Sequence, residues 1–316
     1  MDLEKLRKRQ KEVSGLIVEN ADLSLLPEYI LFSYLGARVC YASTHPLLLF
    51  EEERFKNFEK FKDFLLRLKK AGHYSVFAHT PILVHTGKLS LQQKFELAST
   101  FFKVFWDEDL DLALFNLRHI AENLSNKEFS ELINTRPELQ EIEVIFSRDY
   151  KVLYQGVLAE FDYSLISEEN DFFVRPEVIV LKARKKRPFN WTGVIAHNFS
   201  RIFSHQFVRH TWLNFNQRSH RYTKVDKFVV PLTFSEEYKG LYTEVIQNSM
   251  EIYEKLGERI KKEDARFVVP QGVATTVFAT SPELVWKDFV GKRAIPQAQE
   301  EIRNFASFLS KVLFSR

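Results

Sequence analysis

A chain of 316 residues with a formal net charge of +3 carries no overall field that would draw in a polyanion. Its single cysteine excludes an internal disulfide and a cysteine metal cage, and fits a reducing cytoplasm. At 45% apolar residues, with 30 Phe, it can bury a sizeable aromatic core in one large domain or two smaller ones.

Along the chain, Met1 to Arg7 mix charges and lack the apolar core of a signal peptide. No apolar run nears the ~20 residues of a membrane helix, so no membrane partner is expected. Phe55, Phe58, Phe61, Phe64, Leu65 and Leu68 recur at helical spacing, which predicts a helix over 51–71 stopped by Gly72. Pro81 to Val84 reads as a strand. Ser90 with Gln93 forms a capping box that opens a helix to about Trp106, and a second helix is predicted from Leu110 to Leu124. Glu143 to Phe146 and Lys151 to Leu158 read as a hairpin around Arg148-Asp149. Val178 to Leu181 is a strand. The basic run Lys182 to Arg187 reads as a solvated turn. A nucleic-acid role would need stacking aromatics along a groove, and Phe189 and Trp191 alone do not supply one. Asn190 or Thr192 is the expected cap of the next helix. Ser235 with Glu236 and Glu237 caps a long helix to about Glu263. Ser281-Pro282-Glu283 opens another, closed by Gly291, and Pro296 opens the last, carried by Ile302, Phe305, Leu309, Val312 and Leu313. There are no internal repeats.

The densest chemistry lies at 206–222. Gln206, Arg209 and His210 stand at i, i+3 and i+4, one helical face, continuing the apolar stripe of Phe199, Ile202 and Phe203. Asn216, Gln217, Ser219, Arg221 and Tyr222 follow without helical period. Two guanidiniums, an imidazole, amides and hydroxyls suit an anionic, hydrogen-bonding small molecule such as a nucleotide; the plain alternative is a solvated helix end and polar turn. Arg293, between two helices and just before Pro296, can point into a site, or pair at the surface with Glu300 or Asp288. Cys40, in an apolar segment, reads as structural. His73, His79 and His85, spaced by six, have poor ligand geometry, so no metal site is expected.

Arg209-His210-Thr211, seven residues, then Ser219, with Asn216, Arg221 and Tyr222, resembles the signature of the flavin-dependent thymidylate synthases. Further blocks fall in that family's order: Gly36 to Tyr41, Gly72 to His79, Phe228 to Pro231, Ala265-Arg266 with Pro270, and Arg293-Ala294 with Gln299 and Glu301. The resemblance implies that Arg293 contacts the uracil ring and favours its ionised form, which would make C5 more nucleophilic. It implies that Gln206, Ser219, Arg221 and Arg266 hold dUMP, mainly its phosphate, and that Arg209 and Gln217 serve dUMP and FAD alike. His73, Ser75 and His210 are implied on the flavin side, as are the positions of Thr211, Asp288 and Gln297. A flavin-dependent route needs no cysteine nucleophile, in keeping with Cys40 as a structural residue.

Four positions depart from the pattern: Thr211 replaces an arginine, Gln217 a glutamate, Asp288 an asparagine and Gln297 a histidine. Most lie on the flavin side, where a lost cation and a gained carboxylate weaken an anionic cofactor. The leading expectation is reductive methylation of dUMP to dTMP with FAD, methylenetetrahydrofolate and NADPH. A diverged relative that senses a pyrimidine nucleotide, or acts on another, is the alternative; an interaction protein working through an inserted lobe is a third. The expected fold is α/β (α+β), a mixed sheet packed by long helices. Its core is expected over 1–87 and 175–316, with an inserted lobe over 88–174. The resemblance further implies a cytoplasmic homotetramer with sites at subunit interfaces.

Overall fold

From Leu26 to Val39 the chain is apolar on every side, and Leu26, Tyr29, Ile30, Leu31, Phe32, Tyr34, Leu35, Ala37 and Val39 are all buried. A helix apolar all round belongs inside a protein, and this one, α2 (Leu26–Tyr41), is the axis of the fold. The computed structural model describes residues 2–23, 26–134, 142–147, 172–183 and 189–314.

One side of α2 meets an N-terminal layer. Here α1 (Leu3–Glu19), β1 (Ala21–Asp22), α3 (Glu53–Lys56), α4 (Phe58–Lys70), β2 (Pro81–His85), α5 (Leu91–Thr100), β3 (Phe105–Asp107), β4 (Leu112–Asn116), α6 (Leu117–Ala121) and α7 (Asn126–Ile133) follow in order. Two 3-10 turns, Pro46–Glu51 and Tyr74–His79, join them. The strands form an antiparallel sheet in the order β1-β2-β4-β3. Residues 91–133 thus share a sheet and a core with residues 13–84.

The other side of α2 covers a second sheet, built from β5 (Ile142–Ser147), β6 (Glu177–Ala183), β7 (Trp191–Ser200), β8 (Asn214–Gln217) and β9 (Ala274–Pro282). Its order is β5-β6-β7-β9-β8. Side chains alternate between its faces, as strand geometry requires. Ile179, Leu181, Ile195 and Phe278 join Tyr29, Phe32 and Leu35 of α2 in one cluster. Val178, Val180, Val194, Ala196, Val277 and Ala279 face the opposite way. That second face is closed by α8 (Arg201–Phe207), α11 (Glu283–Arg293) and α12 (Glu300–Phe314). The long α9 (Glu236–Gly257) and short α10 (Lys262–Ala265) stand between β8 and β9 in the chain.

The α+β class holds, but the strand pairings are antiparallel in both sheets rather than mixed. Several local expectations change as well. Asn57 caps α4, splitting the helix expected over 51–71. Gly72 does end α4, at φ 78, with its N–H and that of His73 closing on Lys69 and Leu68 carbonyls. The Ser90–Gln93 capping box forms, but α5 stops at Thr100 and Trp106 is in a strand. Leu112–Asn116 is a strand buried on both faces; a continuous apolar run cannot be told from a helix by period. Trp191–Ser200 is a strand paired on both sides, so Ser200 caps α8 in place of Asn190 or Thr192. The helix from Ser235 ends at Gly257, α11 runs past Gly291, and the last helix begins at Glu300. Glu143 to Phe146 is a strand whose partner is β6; the expected second strand over 151–158 and most of the basic run, 184–187, lie outside the described residues.

Candidate active site

Ser200 fixes the start of the signature segment. Its Oγ accepts from Phe203 N–H at 3.0 Å, capping α8. Glu301 of α12 in turn accepts from the Ser200 hydroxyl at 2.5 Å and backbone N–H at 2.8 Å. The helix ends at Phe207, so Arg209, His210 and Thr211 lie past its last turn, not along its face. The chain turns there because Phe207 and Leu213 anchor it at both ends in the core. Arg209 and Thr211 are left exposed.

Arg293 ends α11 and reaches this turn. Its Nε donates to His210 Nε2 at 2.9 Å, and Nη2 to the Gln206 carbonyl at 3.4 Å. The surface pair with Asp288 or Glu300 does not form: Asp288 binds Lys292 at 2.7 Å. His210 stands edge-on to Phe289, with ring centroids 4.8 Å apart. Burial, then the charges of Arg293 and Lys292, lower its pKa to about 4. Near neutral pH it is therefore an uncharged imidazole whose Nε2 accepts and whose Nδ1 carries the proton. Arg293 thus stands beside a neutral neighbour.

The strand β8 carries the next part. Gln217 Nε2 donates to Ser204 Oγ at 3.0 Å and Thr275 Oγ1 at 3.1 Å. Asn216 points the other way, to His79 Nε2 at 2.6 Å and to Cys40 Sγ at 3.1 Å. His79 also meets Thr280 Oγ1 at 2.8 Å and is fully buried, which lowers its pKa to about 3. Gly36 makes room for that ring: a Cβ there would sit 2.5 Å from His79 Cδ2. Ser219 N–H donates to the Cys40 carbonyl at 2.9 Å. The signature is therefore tied to the Gly36–Tyr41 and Gly72–His79 blocks by direct bonds. Beyond it, Tyr222 lies 5.3 Å from Tyr41 and Tyr41 lies 6.4 Å from His73, between ring centroids. Arg221 covers the Tyr222 ring at 5.4 Å. His73, Ser75, Arg221 and Tyr222 are exposed.

A third group is basic. Arg201 is affected first by burial and then by the charge of Arg266. His220 is lowered to about 4 by burial, then by Arg201, with smaller effects from Arg218 and Arg266. Arg218 is buried enough to lower its pKa, and its Nε has no hydrogen-bond partner among the described residues. A desolvated guanidinium nitrogen without a partner is costly unless an anion meets it. Arg266 itself is exposed, with Nε on the Glu263 carbonyl at 3.1 Å.

Of the residues singled out in the sequence, Gln206, His210 and Arg293 meet directly, with Asp288 near enough to act on His210. His73 and Tyr222 gather around Tyr41, and Ser219 bonds to Cys40. No hydrogen bond, ion pair or ring contact among the described residues links His73 or Ser75 to His210, Asp288 or the exposed Gln297. Arg201, Arg218 and His220 were not anticipated. Arg218 and His220 flank Ser219 in a basic alternation that could have drawn notice; nothing in sequence marks Arg201.

The buried Glu301 has a measurable consequence. Burial, partly offset by the two bonds from Ser200, raises its carboxyl pKa to about 7. The folded chain then holds a proton that the unfolded chain releases between about pH 4.5 and 7, so stability falls as pH rises across that window. Glu301→Gln removes the ionisation and should flatten the profile, with the wild type losing on the order of 3 kcal/mol more than the variant. Urea midpoints at about pH 5 and pH 8 for both proteins measure this; parallel losses would contradict it.

Comparison with known proteins bears on the same segment. Residues 180–313 match the family model described as thymidylate synthase complementing protein. The chain is similar to proteins named flavin-dependent thymidylate synthase. That of Thermococcus onnurineus is 40% identical over 119 residues, 34% of this chain and 47% of the relative. That of Sulfolobus acidocaldarius is 37% identical over 112 residues, 34% of this chain and 43% of the relative. That of Clostridium tetani is 30% identical over 139 residues, 37% and 56% of the two chains. The matched part of this chain spans about half the length of these relatives. The resemblance read from the signature thus extends over the whole 180–313 segment of the family model. Among the described residues no helix is long and apolar enough to cross a membrane.

Proposed function

We propose that this protein is a flavin-dependent thymidylate synthase, methylating dUMP to dTMP with methylenetetrahydrofolate and NADPH. The observation that carries the reading is the junction of Arg293, His210 and the Gln206 carbonyl inside the segment that matches the family. A guanidinium fixed beside a neutral imidazole supports the anionic form of a pyrimidine imide. The basic group Arg201, Arg218 and Arg266, with Ser219 and Arg221, supports a phosphate, and Gln206, Arg209 and Gln217 complete the nucleotide side.

Exposed aromatic and donor groups at Tyr41, His73, Ser75 and Tyr222, with Arg209 and His210 on the other side, fit an anionic, planar FAD. Bound there, FAD supplies the hydride and the folate supplies the one-carbon unit. Asp288, close to His210, works against an anion, and Thr211 and Gln297 contribute no charge. That arrangement favours the second reading, a diverged relative that binds a pyrimidine nucleotide without turnover. Among the described residues no hydrogen bond, ion pair or ring contact joins the two flavin-side groups, and we assign the complete site to neighbouring copies in a homotetramer. We assign the chain to the cytoplasm, and residues 88–174 to an insertion between 1–87 and 175–316 whose described part, 91–133, packs into the N-terminal core.

The test is calorimetric titration with dUMP, with and without FAD. Micromolar or tighter dUMP binding is expected, and Arg221→Ala should weaken it by about 2–5 kcal/mol if its charge is desolvated on binding. Unchanged affinity in Arg221→Ala would remove that residue from the site. Binding of dUMP without FAD uptake or dTMP formation would favour the sensor reading.

A further inference from the structure

On the sheet face opposite Gln217 and Thr275, three side chains converge that the proposed reaction does not use. Glu177 of β6 and His197 of β7 are direct cross-strand partners. His45, at the start of the Pro46–Glu51 turn, closes over them. Its Nε2 lies 2.7 Å from Glu177 Oε2, and its ring stands edge-on to His197 with centroids 4.9 Å apart. One potential ligand atom from each of His45, Glu177 and His197 lies within 4.8 Å of the others.

The backbone is shaped around this cluster. Pairing of β7 with β9 shifts between Ala196 and Phe199, so His197 and Asn198 together face Thr276. Asn198 takes φ 58, a left-handed conformation that costs a non-glycine residue on the order of 1 kcal/mol. Bulges of this kind re-aim side chains beside sites. His197 Nδ1 is fixed by Thr276 Oγ1 at 2.9 Å, the kind of outer hydrogen bond that orients a ligating imidazole.

We propose that His45, Glu177 and His197 bind a borderline divalent transition-metal ion, represented by Zn²⁺. Two imidazoles and one carboxylate suit such an ion, whereas calcium and magnesium favour all-oxygen sets. The ion takes the place of the proton between His45 and Glu177. Leu47 N–H now donates to His45 Nδ1 at 3.3 Å, which puts the ring proton on Nε2. On metal binding that proton moves to Nδ1 and this long bond is given up; no net proton leaves the ring. The metal fastens the segment after α2 to the two central strands β6 and β7. Its role is a staple between the N-terminal layer and the signature sheet.

Titration of the chelator-stripped full chain with Zn²⁺, by calorimetry and by thermal unfolding, tests this. One ion per chain at micromolar or tighter affinity is expected, with a raised unfolding midpoint and no response to Mg²⁺. Co²⁺ should give visible ligand-field absorption on the same stoichiometry. His45→Ala, on the surface turn, should weaken Zn²⁺ binding about tenfold or more, and Glu177→Gln, which keeps a hydrogen bond to His45, should do the same. Absence of saturable Zn²⁺ binding overturns the proposal, as does binding unchanged in both variants. Neither outcome depends on flavin, dUMP or turnover.

Discussion

Under the proposed function, Arg293→Ala is expected to lower the rate of dTMP formation on the order of 10²–10³-fold, with a much smaller loss of dUMP affinity. The guanidinium ends α11 with Nε on His210 and Nη2 on the Gln206 carbonyl. These neutral partners hold it in place without cancelling its charge. A preorganised charge aimed at a pyrimidine acts most strongly as negative charge develops there, and such a donor typically contributes this much to rate. Arg266→Ala should behave differently. Arg266 is exposed, with its Nε on a backbone carbonyl within its own turn, and belongs to the group proposed for phosphate. Its loss should raise the KM for dUMP with little effect on kcat. Single-turnover dTMP formation at saturating dUMP, with FAD, NADPH and methylenetetrahydrofolate supplied, separates the two. Near-normal turnover in Arg293→Ala would leave that residue a structural link between α11 and the signature turn.

Phe207→Ala is expected to destabilise the fold by about 3–5 kcal/mol. Phe207 is fully buried, with ring centroids 5.0 Å from Phe215, 5.2 Å from Phe203 and Phe305, and 5.3 Å from Phe289. It thus joins α8, β8, α11 and α12, and no single element can relax to fill the space. A urea unfolding curve within about 1 kcal/mol of the wild type would contradict the packing. Phe207 is also the last helical residue before Arg209 and His210. Conservative Phe207→Leu should restore most of the stability, which allows any remaining loss of nucleotide affinity to be read as displacement of the turn.

What could be read from sequence follows the range of the forces involved. The Ser90–Gln93 capping box and the stop at Gly72 are local hydrogen-bonding choices and form as expected. Leu112–Asn116 and Trp191–Ser200 are apolar runs whose helix or strand state depends on neighbours far along the chain, and there periodicity misleads. In the site, the residue types around 206–222 announce a donor-rich surface. That Arg293 meets His210, however, requires α11 and α8 to pack on the same sheet face, and this follows from Phe207, Trp286, Phe289 and Phe305 rather than from any motif. Arg201 stays hidden for the same reason: its proximity to His220 is tertiary. The triad of His45, Glu177 and His197 combines a turn with a bulged strand, and no spacing along one chain encodes it.

The bond from Asn216 to His79, packed against Gly36, carries a consequence for where the packing unit ends. The segment that matches the family model, residues 180–313, buries one face of its sheet, at Ile195 and Phe278, against α2 and against Leu83, Leu112 and Leu114 of the N-terminal layer. Its strand β8 takes a partner for Asn216 from a turn more than a hundred residues earlier. Cut out alone, it would show water an apolar sheet face and an orphaned amide. The stretch that matches the family model is therefore smaller than the stretch that shares this packing.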